Sequence, residues 1–377
     1  MKPIPADAGD AAEPVVCPPH APSTPSAPIK GRGSASWLAH RFAQDAREPF
    51  DDGWAPPEPG QVLPLRTEWV WEDCRSAITR NRSPDIGFDR SINPYRGCEH
   101  GCSYCYARPS HSYLGLSPGL DFETRLIAKR GLRERLIQEL ASPRYTPGLL
   151  AVGTVTDAYQ PLERELRLTR DVLEVLHDCR HPLAIVTKGS GIERDIDLLA
   201  ALASQHLVGV AVSVTTLDAE LARRMEPRAA APWRRLRTIE RLAAAGIPVS
   251  VSVSPQIPFI NDDMEQVLEA ARDAGARRAF YVVLRLPWEL SPLFRDWLQQ
   301  HFPDRAERVM ARVQDLHGGR DYDASFASRR RGQGVWAQLI AQRFAKACER
   351  LGLNREPSRW NLQDFRAPSR SRQMGLF

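Results

Sequence analysis

The sequence predicts an α/β protein in which a mainly parallel sheet is covered by helices. Short β-branched runs alternate with amphipathic helical stretches from Leu149 onward. The apolar runs are continuous, which is typical of parallel strands buried beneath helices. Gly246 and Gly275 each follow a predicted helix, at the point where a glycine in the left-handed conformation ends a helix.

The first 90 residues precede this regular pattern. Twelve of the 31 prolines fall within residues 1–60, mixed with alanine, serine and acidic residues. Such a composition buries too little apolar surface to offset the entropy lost on ordering, so residues 1–28 are predicted to be disordered. Residues 29–90 are predicted to be a linker or a segment that wraps around the domain.

Six βα units are predicted within residues 91–286, which form the predicted core. A strand before Cys98 and a helix around Arg130–Leu140 come first. The later strands are Leu149–Val155, Leu183–Thr187, Val208–Thr215, Val249–Val253 and Ala279–Leu284, and the helices between them are Glu165–Cys179, Glu193–Gln205, Arg234–Ala245 and Asp263–Ala274. An open doubly wound sheet and an incomplete β/α barrel both fit this pattern. In either one, ligands bind at the carboxyl ends of the strands.

The strands stop after Pro287, and residues 287–355 are predicted to form a helical, basic extension. Residues 286–377 carry 16 Lys and Arg against 10 Asp and Glu, and they include the run Arg329-Arg330-Arg331. A nucleic-acid surface and an ordinary solvated basic face explain this charge equally well. Residues 356–377 are predicted to be a flexible tail.

Three cysteines in a short run carry the strongest functional signal. Cys98, Cys102 and Cys105 have the spacing Cys-x3-Cys-x2-Cys in the loop after the first predicted strand. Three thiolates can hold three corners of a cubane iron–sulfur cluster and leave one iron free to bind a substrate or cofactor. A structural zinc site would need a fourth ligand, for which His100 and His111 are the nearby candidates.

The other four cysteines are scattered along the chain and no apolar secretory leader is seen, so disulfides are not expected. No apolar run approaches the roughly 20 residues of a membrane span, and no membrane association is expected. Reduced thiols favour a cytoplasmic location.

The cysteine motif, the aromatic Tyr104 just before its third cysteine and the βα units that follow resemble the radical S-adenosylmethionine superfamily. The resemblance implies a partial (β/α)6 barrel with a [4Fe-4S] cluster on Cys98, Cys102 and Cys105. It also implies S-adenosylmethionine at the open iron, with Tyr104 near the adenine. Reductive cleavage of this cofactor would give methionine and a 5′-deoxyadenosyl radical that abstracts hydrogen from a substrate. A reductase or flavodoxin-type protein would supply the electron.

Several short stretches resemble, in order, the spore photoproduct lyase branch of DNA-repair-lyase-like proteins. They are Cys102-Ser103-Tyr104-Cys105-Tyr106, Thr156-Asp157, Val186-Thr187-Lys188, Ser213, Glu226-Pro227 and Ala244-Ala245-Gly246-Ile247-Pro248. This resemblance implies that Thr156, Lys188 and Ser213 hold the carboxylate and ribose region of S-adenosylmethionine, as a cation and two hydroxyls can. The alternative is a surface lysine and two ordinary hydroxyls at strand ends.

The lyase returns a hydrogen atom to its substrate from a cysteine, and Thr154 occupies that position here. A threonine O–H bond is far too strong to replace a thiol S–H bond, so the spore-lesion reaction itself is not expected. The sequence does not name the substrate; a nucleic acid such as DNA is the expectation, and modification of RNA or of a protein stays open. The alternative from another class is a non-catalytic iron–sulfur or zinc protein that only binds.

The last five residues, Gln373-Met374-Gly375-Leu376-Phe377, resemble the short peptide by which bacterial DNA polymerases and repair proteins bind the replication sliding clamp. Leu376 and Phe377 would fill an apolar pocket while Gln373 forms hydrogen bonds at its rim. The alternative is that Leu376 and Phe377 pack on the surface of this protein.

Overall fold

The computed structural model describes residues 28–43 and 66–368. Almost all of the predicted disordered tail, and Gln373, Leu376 and Phe377 of the predicted clamp-binding peptide, lie outside the described residues. In the described part of the chain, the strands are β1 (Glu68–Asp73), β2 (Thr79–Arg80), β3 (Arg90–Ile92), β4 (Tyr95–Arg96), β5 (Arg125–Arg130), β6 (Leu150–Val152), β7 (Leu183–Thr187), β8 (Val208–Ser213), β9 (Val249–Ser252) and β10 (Arg278–Phe280).

The α-helices of the same residues are α1 (Asp121–Thr124), α2 (Leu132–Leu140), α3 (Glu163–Leu166), α4 (Leu168–Asp178), α5 (Ile196–Ala203), α6 (Ala219–Met225), α7 (Pro232–Ala244), α8 (Met264–Asp273), α9 (Leu290–His301), α10 (Ala306–Leu316) and α11 (Gly334–Leu351). None of these described helices is both long enough and apolar enough to cross a membrane.

The main sheet has the strand order β10-β9-β8-β7-β6-β3-β2. Its strands from β3 to β10 are parallel to their neighbours, and β2 pairs antiparallel with β3 at one edge. The six parallel strands confirm the predicted βα pattern. A second sheet, which the sequence did not predict, has β1 parallel and β4 antiparallel to the central β5.

The strand order of the main sheet and the side chains on its two faces decide between the two predicted architectures. Large residues such as Ile185, Val210 and Val251 alternate along the strands and pack with the helices in one core cluster. Between them lie small residues such as Ala184 and Gly209, which are paired in register across β7 and β8. The six parallel strands also stand in chain order, without the reversal of strand order that a doubly wound sheet has. The fold is therefore a partial barrel, with its helices packed on the face of large side chains.

Two predicted helices are interrupted in the structure. The predicted helix Glu165–Cys179 is split into α3 and α4 at Arg167, which has the left-handed φ of 55°. The Glu163 carboxylate accepts a hydrogen bond from the Thr169 backbone N–H at 3.0 Å and so begins α4 anew. The predicted helix Glu193–Gln205 starts as a 3-10 helix over Ser190–Asp195 and becomes α-helical only at Ile196.

The C-terminal part is more ordered than predicted. Helices α9 to α11 lie within the predicted helical extension, but residues 317–333 between α10 and α11 are not helical. The first part of the segment predicted to be a flexible tail, from Glu356 to Arg366, makes contacts with the core. The Phe365 ring packs at a tilt on Tyr145 and edge-on against His181, and the Arg366 N–H donates to the Cys179 carbonyl at 2.8 Å. A partly buried aromatic ring therefore attaches this otherwise polar segment to the core.

Residues 28–43 form a strap that lies against the core. Arg32 Nη1 donates to the Glu123 carbonyl at 3.1 Å, and the Gly33 N–H donates to Glu123 Oε2 at 3.0 Å. Further along, Arg41 forms an ion pair of 2.7 Å with the buried Glu289. The strap is therefore held at both ends by carboxylates of the core.

Replacing Gly33 with valine should detach this strap. A Cβ atom at Gly33 would lie 1.6 Å from the Gly101 carbonyl oxygen, and because this oxygen belongs to the backbone the strap itself must move. We expect a cost of about 1–3 kcal/mol or more, as for other overpacked sites. Limited trypsin digestion of the full chain should then cleave the strap faster. Gly87→Ala is the matched control, because nothing lies within 4 Å of its new Cβ; equal cleavage of the two variants would contradict this contact.

Candidate active site

The three cysteines lie on one loop, residues 97–108, at the carboxyl ends of the parallel strands. Gly97 begins this loop with a φ of 80°. A Cβ atom there would lie 2.7 Å from Leu126 and 2.9 Å from the Phe122 carbonyl oxygen. Only glycine therefore fits both the conformation and the space, and this fixes the backbone immediately before Cys98.

The thiols are close to one another and shielded from solvent. Cys98 and Cys102 are buried, and Cys105 is partly buried. Burial raises the pKa of Cys98 well above its usual value, and the charges of Asp157, Cys102 and Cys105 raise it further. Burial also raises the pKa of Cys102 to about 12, against an opposing effect of Lys188. Bound iron would lower the pKa values of these thiols, because a metal ion deprotonates the thiols that coordinate it.

The cysteine loop rests on a buried ion pair. Arg108 and Glu123 are paired with side chains only 1% and 0% exposed. Arg108 Nε also donates to the Cys102 carbonyl at 2.9 Å, and its Nη1 donates to the Gly119 carbonyl at 2.9 Å. Because Glu123 also holds the strap, one carboxylate joins the N-terminal segment to the loop.

A second buried network surrounds Tyr104. Its hydroxyl donates to Glu226, which also pairs with Arg235. Burial alone would raise the pKa of Glu226, but Arg235 and Lys188 lower it to about 2. Arg235 Nη1 in turn donates to the Ser213 carbonyl at the end of β8, at 3.0 Å. The network thus fixes the Tyr104 ring relative to a strand end.

Lys188 lies directly after β7, with its Nζ 5.6 Å from the centroid of the Tyr104 ring. Burial disfavours its charge, but Cys102 and Glu226 more than compensate and raise the pKa of Lys188 above its usual value. Asp157 fixes the backbone here, since Oδ2 accepts from the Lys188 N–H at 2.7 Å and Oδ1 from the Thr187 hydroxyl at 2.6 Å. Lys188 therefore presents a stable positive charge beside Tyr104 and the thiols.

The structure brings Tyr104 and Lys188 together. The hydroxyls of Thr156 and Ser213, which were predicted to bind the cofactor, have different surroundings. The Thr156 hydroxyl donates to the Gly97 carbonyl at 2.7 Å, so it supports the cysteine loop. The Ser213 hydroxyl makes no hydrogen bond within the described part of the chain. The Thr154 N–H is bound by Asn93 Oδ1 at 2.8 Å, and its carbonyl accepts from the Tyr106 hydroxyl. The cofactor contacts of Thr156, Lys188 and Ser213 stay predictions.

The two histidines considered for a zinc site have other partners. His100 Nδ1 lies 3.3 Å from Asp157 Oδ2, and His111 Nε2 lies 3.0 Å from the Arg125 carbonyl oxygen. Within residues 28–43 and 66–368, no group of three or more His, Cys, Asp and Glu side chains is arranged around a single metal ion. A cubane differs, because each thiolate binds a separate iron. Three adjacent thiols, with the Asp157 backbone in hydrogen-bonding contact with Cys98, fit such a cluster.

Several residues of this site escaped the sequence analysis. Glu226 and Asp157 stood in the stretches that carry the lyase resemblance but received no role. Arg108, Glu123 and Arg235 carried no signal, because arginine and glutamate are common on surfaces and only their burial marks them. Their partners are distant in sequence, so no local pattern records them.

Comparison with known proteins identifies the family. The sequence profile of the Radical SAM superfamily matches residues 92–271. An uncharacterized protein of Mycobacterium tuberculosis is 36% identical over 241 residues, which make up 62% of this chain and 70% of that protein. This chain belongs to the radical S-adenosylmethionine superfamily. Another relative, an uncharacterized protein of Methanocaldococcus jannaschii, is 27% identical over 218 residues, 58% of this chain and 78% of that protein. As a radical S-adenosylmethionine protein, the chain uses a [4Fe-4S] cluster and S-adenosylmethionine.

Solved structures confirm the predicted resemblance to the lyase branch at the level of the fold. A mutant form of spore photoproduct lyase superposes with a TM-score of 0.51 at 13% identity, covering 80% of this chain and 87% of that chain. Spore photoproduct lyase complexed with dinucleoside spore photoproduct gives a TM-score of 0.50 at 14% identity, covering 80% and 86%. At these identities the likeness shows a shared fold.

Proposed function

We propose that this protein cleaves S-adenosylmethionine reductively and uses the resulting 5′-deoxyadenosyl radical to abstract hydrogen from a nucleic acid, with DNA as the favoured substrate. The observation that carries the proposal is the position of three adjacent, shielded thiols at the carboxyl ends of six parallel strands. In open parallel sheets and barrels, this is the end at which ligands bind.

Different residues of the chain bind the cluster and S-adenosylmethionine. Cys98, Cys102 and Cys105 hold the cluster, which when bound supplies the electron for cleavage. Lys188 binds the carboxylate of S-adenosylmethionine, because its ammonium group lies beside Tyr104 and Cys102. Tyr104, locked by Glu226, provides an aromatic surface next to the same space.

Two observations and one prediction from the sequence support a nucleic-acid substrate. The fold is shared with a lyase whose structure was solved with a dinucleoside lesion. The C-terminal part carries an excess of arginine. The predicted clamp-binding peptide, with Gln373, Leu376 and Phe377, would bring the enzyme to DNA. Because Thr154 stands where the lyase has a cysteine, we propose a different reaction on DNA from the repair of spore photoproduct.

The proposal is tested with cluster-loaded full-length protein, dithionite and S-adenosylmethionine. We expect release of 5′-deoxyadenosine. A cluster-loaded protein that releases no 5′-deoxyadenosine would contradict the proposed enzymatic activity and favour a protein that only binds. Cofactor labelled with deuterium at the 5′ carbon then identifies the substrate, because the macromolecule that exchanges hydrogen with it carries the label. If RNA or a protein carries the label and DNA does not, DNA is not the substrate and the labelled macromolecule is.

Replacing Lys188 with methionine should weaken S-adenosylmethionine binding without removing the cluster. Hydrogen bonds to charged groups contribute about 1.5–3 kcal/mol, so we expect a loss of roughly tenfold or more in affinity. Equilibrium dialysis of labelled cofactor against the cluster-loaded protein measures this. Lys346→Met, an exposed lysine on α11, is the control and should bind normally. Unchanged affinity in Lys188→Met would show that the lysine does not contact the carboxylate.

A further inference from the structure

Two arginines, Arg285 and Arg330, form a cationic wall beside the mouth of the candidate active site. Arg285 follows β10, and its guanidinium carbon lies 4.8 Å from the centroid of the Tyr106 ring. Tyr106 comes directly after the third cysteine, it is 44% exposed, and its hydroxyl binds the Thr154 carbonyl. The wall is therefore next to the strand end where the reaction is proposed.

The arginine run Arg329-Arg330-Arg331 lies between the two open edges of the partial barrel, and Arg330 contacts both of them. The Val283 N–H, just past the edge strand β10, donates to the Arg330 carbonyl at 3.0 Å. Arg330 Nη1 donates to the Asp85 carbonyl at 2.7 Å, and Asp85 lies in the connection between β2 and β3 at the opposite edge. Arg329 binds both carboxylate oxygens of Asp85, at 2.6 and 2.7 Å.

The positive charge of the wall is balanced only in part by the described groups around it. Asp85 is engaged by Arg329, and the Arg285 guanidinium makes no hydrogen bond or ion pair within the described residues. Its Nε is buried and lacks a partner there. Burial lowers the pKa of Arg330, and the neighbouring Arg285 lowers it further, although Asp85 opposes them. Two partly buried guanidinium groups in electrostatic contact favour an anionic ligand.

We propose that Arg285 and Arg330 bind a backbone phosphate of a single-stranded nucleic acid whose neighbouring base contacts Tyr106. This rests on the proposed function and adds a phosphate subsite to it. An exposed aromatic ring beside cationic side chains is the combination by which proteins bind single strands, with the ring stacking a base and the cations meeting the backbone. A guanidinium fork matches the geometry of phosphate oxygens.

Binding of a short fluorescein-labelled oligothymidylate to cluster-loaded full-length protein, followed by fluorescence anisotropy, tests the subsite. Arg285→Gln is the main variant, because Arg330 also holds the barrel closed. We expect about tenfold or greater weakening, as for loss of a charged hydrogen bond. The slope of log K against log salt concentration should fall by about 0.7, the contribution of one phosphate contact on a single strand. Arg285→Lys keeps the charge and should recover part of the affinity.

Arg237→Gln on α7 is the matched control, since it removes the same charge from an exposed helix position and should leave binding unchanged. Unweakened binding by Arg285→Gln would overturn the subsite, as would equal competition by polyglutamate, which would show a general anion site. The release of 5′-deoxyadenosine separates the two proposals. If wild-type protein releases it and Arg285→Gln binds normally, only the subsite fails. If wild-type protein releases none, the proposed radical enzyme fails, whatever the variant binds.

Discussion

A Cys98→Ala protein should assemble no complete iron–sulfur cluster, and Cys102→Ala and Cys105→Ala should behave in the same way. Each thiolate binds a separate iron, and the fourth iron has no protein ligand in the predicted arrangement, so loss of one thiol leaves two attachments. We expect the broad visible absorbance of the cluster to disappear after anaerobic reconstitution. Iron and sulfide content per chain should fall with it, and 5′-deoxyadenosine should no longer form.

Cys179→Ala and Cys348→Ala are matched controls, because both residues are buried cysteines away from the loop, at the end of α4 and within α11. Their replacement removes a small apolar group and should leave cluster loading intact. A Cys98→Ala protein that still loads a full cubane and cleaves the cofactor would refute the assignment of the ligands.

Glu123→Ala should be the most destabilising substitution outside the cysteines. It removes the carboxylate from a pair buried to 1% and 0% exposure and leaves the Arg108 cation without its counter-ion. Removing one partner of a buried pair costs about 3–5 kcal/mol. The same change frees the Gly33 N–H, so the strap should loosen as well. Urea unfolding of the full-length protein, kept anaerobic, measures the loss.

Glu220→Ala is the control, since its pair with Arg224 is on the surface, where such pairs contribute about 0–1 kcal/mol. A double variant, Arg108→Met with Glu123→Leu, should cost less than the sum of the single changes, because no unpaired charge remains buried. Strict additivity, or a Glu123→Ala protein as stable as Glu220→Ala, would show that the pair does not support the cysteine loop.

The central strands of the core were predicted well because their signal is local, whereas the predictions for β6 and β10 extended three or four residues too far. β7 has the bounds that the sequence predicted, and β8 and β9 end only one or two residues early. Helix boundaries were predicted less well where a distant partner intervenes. Asp195, fully buried, accepts from the Tyr159 hydroxyl at 3.1 Å and pairs with Arg170 at 2.9 Å. These contacts hold the segment before α5 as a 3-10 helix, although its apolar periodicity is that of an α-helix.

The choice between an open sheet and a partial barrel also needed the structure. The alternation in size along one strand, such as Val208-Gly209-Val210-Ala211, can be read in the sequence. The order of the strands, and the register that places small residues of neighbouring strands side by side, depend on pairing between distant segments. The extra sheet was missed because β4 has two residues and carries no periodic signal.

The sequence by itself determined the superfamily, through the spacing of three cysteines, and the parallel sheet, through the repetition of strand and helix periods. Each of these signals is local, because the residues that carry it are close together in the sequence. The tertiary structure decided which groups support the cysteine loop and which line its mouth. Gly33 meets Glu123 across 90 residues, and Tyr104 meets Glu226 across 122. Such partners are chosen by burial, where an unpaired polar group is costly, and burial is a property of the folded chain.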